Sequence, residues 1–225
     1  MKTNRIIILL AGLLILTSCA STKYIYQEGF DDIKNVGIVT PFTDIEIIQA
    51  ADSIVYDSEA TAEFADLITE SLMASALPTG KYMLMDLGSE SLRYAILSLR
   101  DVDPKYAGET RVPGELDKFL EEHGQRYGVF TFANGYLTNS KHYRKELFLS
   151  ILTTVVTHAL SLGMLTVENY IPEKNSFQMW IAVVDSQTDR FVFFNSCSRN
   201  GSDPTNEKHV KRAIDKLVKD FKNKK

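Results

Sequence analysis

Cysteine is scarce: the 225 residues hold only Cys19 and Cys197. That excludes a disulfide-stapled scaffold and a four-thiolate metal site. The histidines, His123, His142, His158 and His209, form no cluster with zinc-ligand spacing. His142 and Glu146 stand one helical turn apart, but two ligands are too few to hold a metal. No Walker loop, G-x-G-x-x-G, G-x-S-x-G or H-E-x-x-H is present. Ser196-Cys197-Ser198 has no identifiable base and reads as a strand end. His123, beside Gly124 at a helix end, suits the helix dipole. No catalytic residue, cofactor or metal is therefore assigned, and the chain reads as a non-enzyme.

Positive charge is also limited. The formal charge is −4, and it falls to −6 once the first 18 residues, with Lys2 and Arg5 and no acid, are set aside. This argues against a nucleic-acid partner, which needs a concentrated cationic surface. The cations gather at the end of the chain. Lys208, Lys211, Arg212, Lys216, Lys219, Lys222, Lys224 and Lys225 stand against Glu207, Asp215 and Asp220. They lie opposite an apolar stripe, as solvated lysines do. Contact with phosphate-rich headgroups or an acidic partner is the functional alternative.

What the chain does have is an ordinary globular balance, 44% hydrophobic and 24% charged, at a length that suits one domain. It also has an address. Lys2 and Arg5 precede an apolar run, Ile6 to Leu16, broken only by Gly12. This reads as a processed signal peptide, 1–18. Leu16-Thr17-Ser18-Cys19 resembles the bacterial lipobox, in which the cysteine is acylated and becomes the first mature residue. Several acyl chains (palmitate and the like), at about 0.8 kcal/mol per buried methylene, make a firm anchor. Ala20 rather than Asp follows the cysteine, which by resemblance to lipoprotein sorting favours the outer membrane; no acidic cluster of the kind some surface-exposed lipoproteins carry follows Cys19, so the periplasmic face is expected. Residues 19–30 are expected to form a lipidated tether reaching about 35 Å, and 31–225 a single domain. With Cys19 acylated, Cys197 is left to be buried as a small apolar residue or to form an intermolecular disulfide.

The pattern predicts an α/β fold. Val36–Phe42 and Lys81–Leu87 read as strands, with a helix from Glu59 to about Ala76 between them, capped by Asp57 or Ser58. A shorter helix is expected near Leu92–Leu99, a charged loop over Asp101–Val112, and a helix from Pro113 to Gly124. Tyr127–Leu137 reads as a strand with Gly135 at a bulge or bend. Phe177–Asp185 and Arg190–Asn195 form a hairpin. Phe177, Met179, Ile181 and Val183 share one face of its first strand, and Trp180, Ala182 and Val184 the other, so that strand belongs mid-sheet with cover on both sides. A last helix is capped by Asp203 or Thr205.

The segment Leu147–Leu165 has no charged residue. Its apolar pairs recur every four residues, and its polar face carries only Ser, Thr and His158. The absence of Lys and Glu points to a polar face that is also covered: by packing against the sheet, by a subunit interface, or, third, by insertion into a membrane, where the hydroxyls and His158 would need partners. Ile151, Leu152, Val155, Val156, His158 and Ala159 are the candidate interface residues.

The opening strand Val36-Gly37-Ile38-Val39-Thr40-Pro41-Phe42, the late phrase Val184-Asp185-Ser186-Gln187-Thr188-Asp189 and the order of elements between and after them form a pattern. That pattern resembles envelope lipoproteins related to the curli-secretion channel lipoprotein and the amino-terminal domain of TolB. The resemblance implies a sandwich with a mixed central sheet of about five strands covered by helices. It also implies a non-enzymatic scaffold or accessory factor in cell-envelope assembly or secretion, with an envelope protein or a second copy as partner. A ring-forming secretion pore and an envelope hydrolase are the alternatives. No pair of membrane-crossing hairpins of the channel type is visible in the sequence.

Overall fold

The computed structural model describes residues 23–50, 53–83, 89–138, 144, 148 and 175–223. The longest described strand, Tyr127–Thr138, organises the sheet. In chain order the strands are β1 (Lys23–Ile25), β2 (Val36–Val39), β3 (Phe42–Ala50), β4 (Ser53–Tyr56), β5 (Thr79–Met83), β6 (Tyr127–Thr138), β7 (Asn175–Asp185) and β8 (Arg190–Asn200). The helices are α1 (Gln27–Asp32), α2 (Ser58–Met73), α3 (Glu90–Leu97), α4 (Gly114–Glu122) and α5 (Glu207–Leu217).

One edge of β6 serves two strands in succession. β2 pairs parallel with its start, Ile38 opposite Val129, and β3 continues along it from Phe42 opposite Phe132 to Ile48 opposite Thr138. The Thr40-Pro41 step separates the two, because proline brings no N–H to a ladder. β5 lies outside β2, and β4 outside β3. On the other side of β6 come β7, β8 and β1, all antiparallel to their neighbours. The sheet is mixed and holds eight strands among the described residues, where about five were expected. The opening strand is expected to run unbroken to Phe42; the structure stops it at Val39 and adds the β3–β4 hairpin.

Helices cover both faces. α1, α2 and α5 lie over Val129, Met179, Ile181, Val183 and Phe193, with Phe64, Ile68, Leu72, Val210, Ile214 and Leu217 buried beneath them. α3 and α4 lie over Phe130, Phe132, Ala182, Val184, Phe191 and Phe194, with Ile96, Leu99, Leu116 and Leu120 buried there. The two faces of β7 divide between these layers as its alternation predicts. In β8 the alternation breaks. Val183 faces Phe193 and Val184 faces Phe191, so Val192 is an inserted residue, and it joins Phe193 in the α5 layer.

Several local expectations hold. Asp57 caps α2, its carboxylate accepting from the Ala60 N–H at 2.9 Å. Pro113 sits at the start of α4 and Gly124 ends it at φ +64, a backbone region that glycine enters at no steric cost. Others are corrected. α5 is capped by Asn206, which accepts from the N–H groups of Lys208 and His209, not by Asp203 or Thr205. Asp203 instead accepts from the backbone and hydroxyl of Thr205, building the turn before the helix. Gly135 is no bulge; it stays in register between Ile45 and Phe177. A Cβ there would lie 2.8 Å from the Ser176 carbonyl oxygen, so the residue is glycine because backbones approach closely. Within the expected tether, the described residues Lys23–Ile25 pair with β8, and Phe30 of α1 is buried against Phe221 at 4.6 Å between ring centroids.

Candidate functional site

The junction between the expected anchor and the fold is built by residues from both ends of the described chain. β1 is only three residues long, so pairing with β8 alone holds it weakly. Lys23 Nζ donates to Asp220 Oδ1 at 2.8 Å, joining β1 to the turn Lys219–Asn223 that follows α5. Beneath this contact Asn195, 1% exposed, donates to the Leu217 carbonyl at 2.7 Å and satisfies the end of α5. Residues 20–22 separate Cys19 from Lys23. Cys19 itself lies outside the described residues.

The described histidines are occupied locally. His123 ends α4 with Nδ1 2.8 Å from the Phe119 carbonyl and its ring against the Phe119 ring. His209 Nδ1 accepts from the Asp203 N–H at 3.0 Å, which puts its own hydrogen on Nε2 if the ring is neutral. The two lie in opposite helical layers, so they make no joint site. His123 lines an open cleft of about 650 Å³ between α3 and α4, with Ser89, Ser91, Glu115, Lys118 and Glu122. The cleft is open and mixed in character, with Leu92 and Phe119 beside the polar groups, and its charged side chains come from one helix.

Cys197 is buried at 4% exposure in the α5 layer, as a core thiol. Ser196 and Ser198 on either side point to the opposite face of β8, so the three residues do not form a nucleophile turn. Among the described residues no group of three or more His, Cys, Asp or Glu could hold a metal ion.

Charge concentrates at the β7–β8 turn. Asp185, 1% exposed, accepts from Arg126 Nε and Nη2 at 3.0 Å each, a bidentate pair. Next to it, burial and then the Asp189 carboxyl push Asp117 up to about 6. Asp189 occupies the left-handed region at φ 52. This end of the molecule is a carboxyl-rich hairpin tip stapled by one arginine.

Two further surfaces face solvent. β4 is an edge strand in the described structure, with Ile54 61%, Val55 43% and Tyr56 59% exposed. A polar cleft of about 220 Å³ crosses β3, β6 and β7 and is lined by Asp44, Glu46, Asn134, Tyr136 and Gln178. Neither surface was legible in the sequence. Asp44 and Glu46 break the apolar run after Pro41, although their alternation with Ile45 and Ile47 is a strand signal. The expected interface residues Ile151, Leu152, Val155, Val156, His158 and Ala159 lie outside the described residues. Of Leu147–Leu165 only Phe148 is described, and it is 65% exposed. No described helix is long and apolar enough to cross a membrane.

No family model matches the chain, and no curated protein matches it in sequence. Solved structures align with the chain at low identity. The PelC dodecamer from Paraburkholderia phytofirmans is 8% identical, over 91% of this chain and 97% of that one, at a TM-score of 0.41. Lipoprotein GNA1162 from Neisseria meningitidis is 10% identical, over 85% and 98%, at 0.34. The LpoB C-terminal domain from Salmonella enterica is 11% identical, over 74% and 82%, at 0.27.

Proposed function

We propose that the chain is a bacterial lipoprotein. In this reading it is anchored through acylated Cys19 in the outer membrane, facing the periplasm, and acts as a non-enzymatic scaffold or accessory factor in envelope assembly or secretion. The observation that carries the reading is the spacing between anchor and fold. Only residues 20–22 lie between the lipobox cysteine and β1, so the Lys23 end of the domain stays within about 15 Å of the lipid surface. The resemblance to curli-channel and TolB-type envelope proteins points the same way, to surfaces rather than to an active site.

The test is fractionation of cells making the full chain or Cys19→Ala. The reading expects the wild type in the outer-membrane fraction and the variant in the soluble periplasmic fraction, both resistant to protease added outside intact cells. A wild type that fractionates with Cys19→Ala would overturn it.

A further inference from the structure

Helix α2 and helix α5 lie side by side on one face of the sheet and carry opposite charge. In Ser58–Met73 there is no lysine or arginine. Its buried side holds Phe64, Ile68 and Leu72, and its outer side presents Glu59, Glu63, Asp66 and Glu70, all exposed. Their spacing stacks them on one stripe, where like charges repel along the helix. In α5, Val210, Ala213, Ile214 and Leu217 are buried, while Lys208, Lys211 and Arg212 are exposed, with Lys219 following. None of the ion pairs among the described residues uses any of these groups. The two stripes do not neutralise each other because both point outward from adjacent helices.

We propose that this face is an interface between two copies of the chain, with the carboxylates of α2 of each copy seated on the cations of α5 of the other. The directions of the helices permit it. β8 runs parallel to β2 through β6 and β7, and α2 and α5 each run back against those strands, so the two helices point the same way. A two-fold axis parallel to them lays acidic α2 over basic α5 twice, which is a closed, self-complementary contact. A uniformly anionic surface such as a membrane would attract α5 and be repelled by α2. A second copy carries both stripes at the matching separation.

The same axis fits the anchor. The end of α5 is tied to Lys23, so both lipidated ends emerge at one end of the pair and enter one membrane. A contact made mostly of exposed charges is weak in solution, and confinement on a membrane raises its effective concentration. That part rests on the anchored reading above.

The experiment mixes isotopically light and heavy full-length protein in one membrane preparation. A carbodiimide then joins carboxylates to lysines already in contact. The expected products are peptides that join α2 of one isotope to α5 of the other. Their yield falls about ten-fold in high salt and in the double variant Lys211→Glu, Arg212→Glu. It returns when that variant is mixed with Glu63→Lys, Asp66→Lys. Absence of mixed-isotope products from anchored wild-type protein overturns the interface. If the protein carries no acyl chain, the anchor reading fails, and the same coupling in concentrated solution decides the interface by itself.

Discussion

Arg126 grips Asp185 with two parallel hydrogen bonds of 3.0 Å, and through it holds the end of β7 against the start of β6. The Gln187 N–H adds a third donor to the same carboxylate at 3.1 Å. Removing the guanidinium leaves a carboxylate that is 1% exposed without its counter-charge. Arg126→Ala is therefore expected to lower stability by about 2 kcal/mol in urea unfolding, less than a fully buried pair loses, because the arginine side keeps contact with water.

Asp117 gives a pH dependence of unusual sign. Burial, and after it the Asp189 carboxyl, raise it from 3.8 to about 6 in the folded chain. The folded state thus binds this proton more tightly than the unfolded state does. The stabilisation is complete below the unfolded value and is lost as pH rises through about 6. Asp117→Asn is expected to melt at a higher temperature than wild type above that value, with the gap closing on acidification. Thermal melts across the range would show it, and an equal gap at all pH values would refute the assignment.

Gly135 makes a steric prediction. An added Cβ would meet the Ser176 carbonyl oxygen at 2.8 Å and Phe177 Cβ at 2.9 Å, and neither belongs to the free end of a flexible side chain. Gly135→Ala is expected to cost about 1–3 kcal/mol. By contrast, alanine at Gly114, where a Cβ meets nothing within 4 Å, should be tolerated. Paired chemical denaturation measurements compare the two.

Cys197 makes a chemical one. Its thiol is buried beneath α5, so a water-soluble disulfide reagent should leave it unmodified in the folded protein and react fully after unfolding. Fast reaction in native conditions would show that the α5 layer opens.

The sequence made some of this legible and hid the rest for physical reasons. The two faces of β7 could be read because burial on both sides leaves an unbroken alternating apolar run. The layer assignment in β8 could not, because the inserted Val192 shifts the alternation halfway along the strand. The sequence does not single out Asn206 as the cap because Asp203 and Thr205 are equally good cap types; which of the three faces the open N–H groups depends on the turn. β1 is three residues held by a partner near the far end of the chain, and no local pattern records such a pairing. The basic character of α5 was visible in composition. That an acidic helix lies beside it, facing the same way, follows only from the strand order.

The most direct test is the intact mass of the protein extracted from membranes. An anchored lipoprotein is predicted to begin at Cys19, with the mass of the chain from that residue increased by a diacylglycerol and further acyl carbon. A protein that begins at Met1, or that begins near Cys19 without any added lipid mass, would contradict the account.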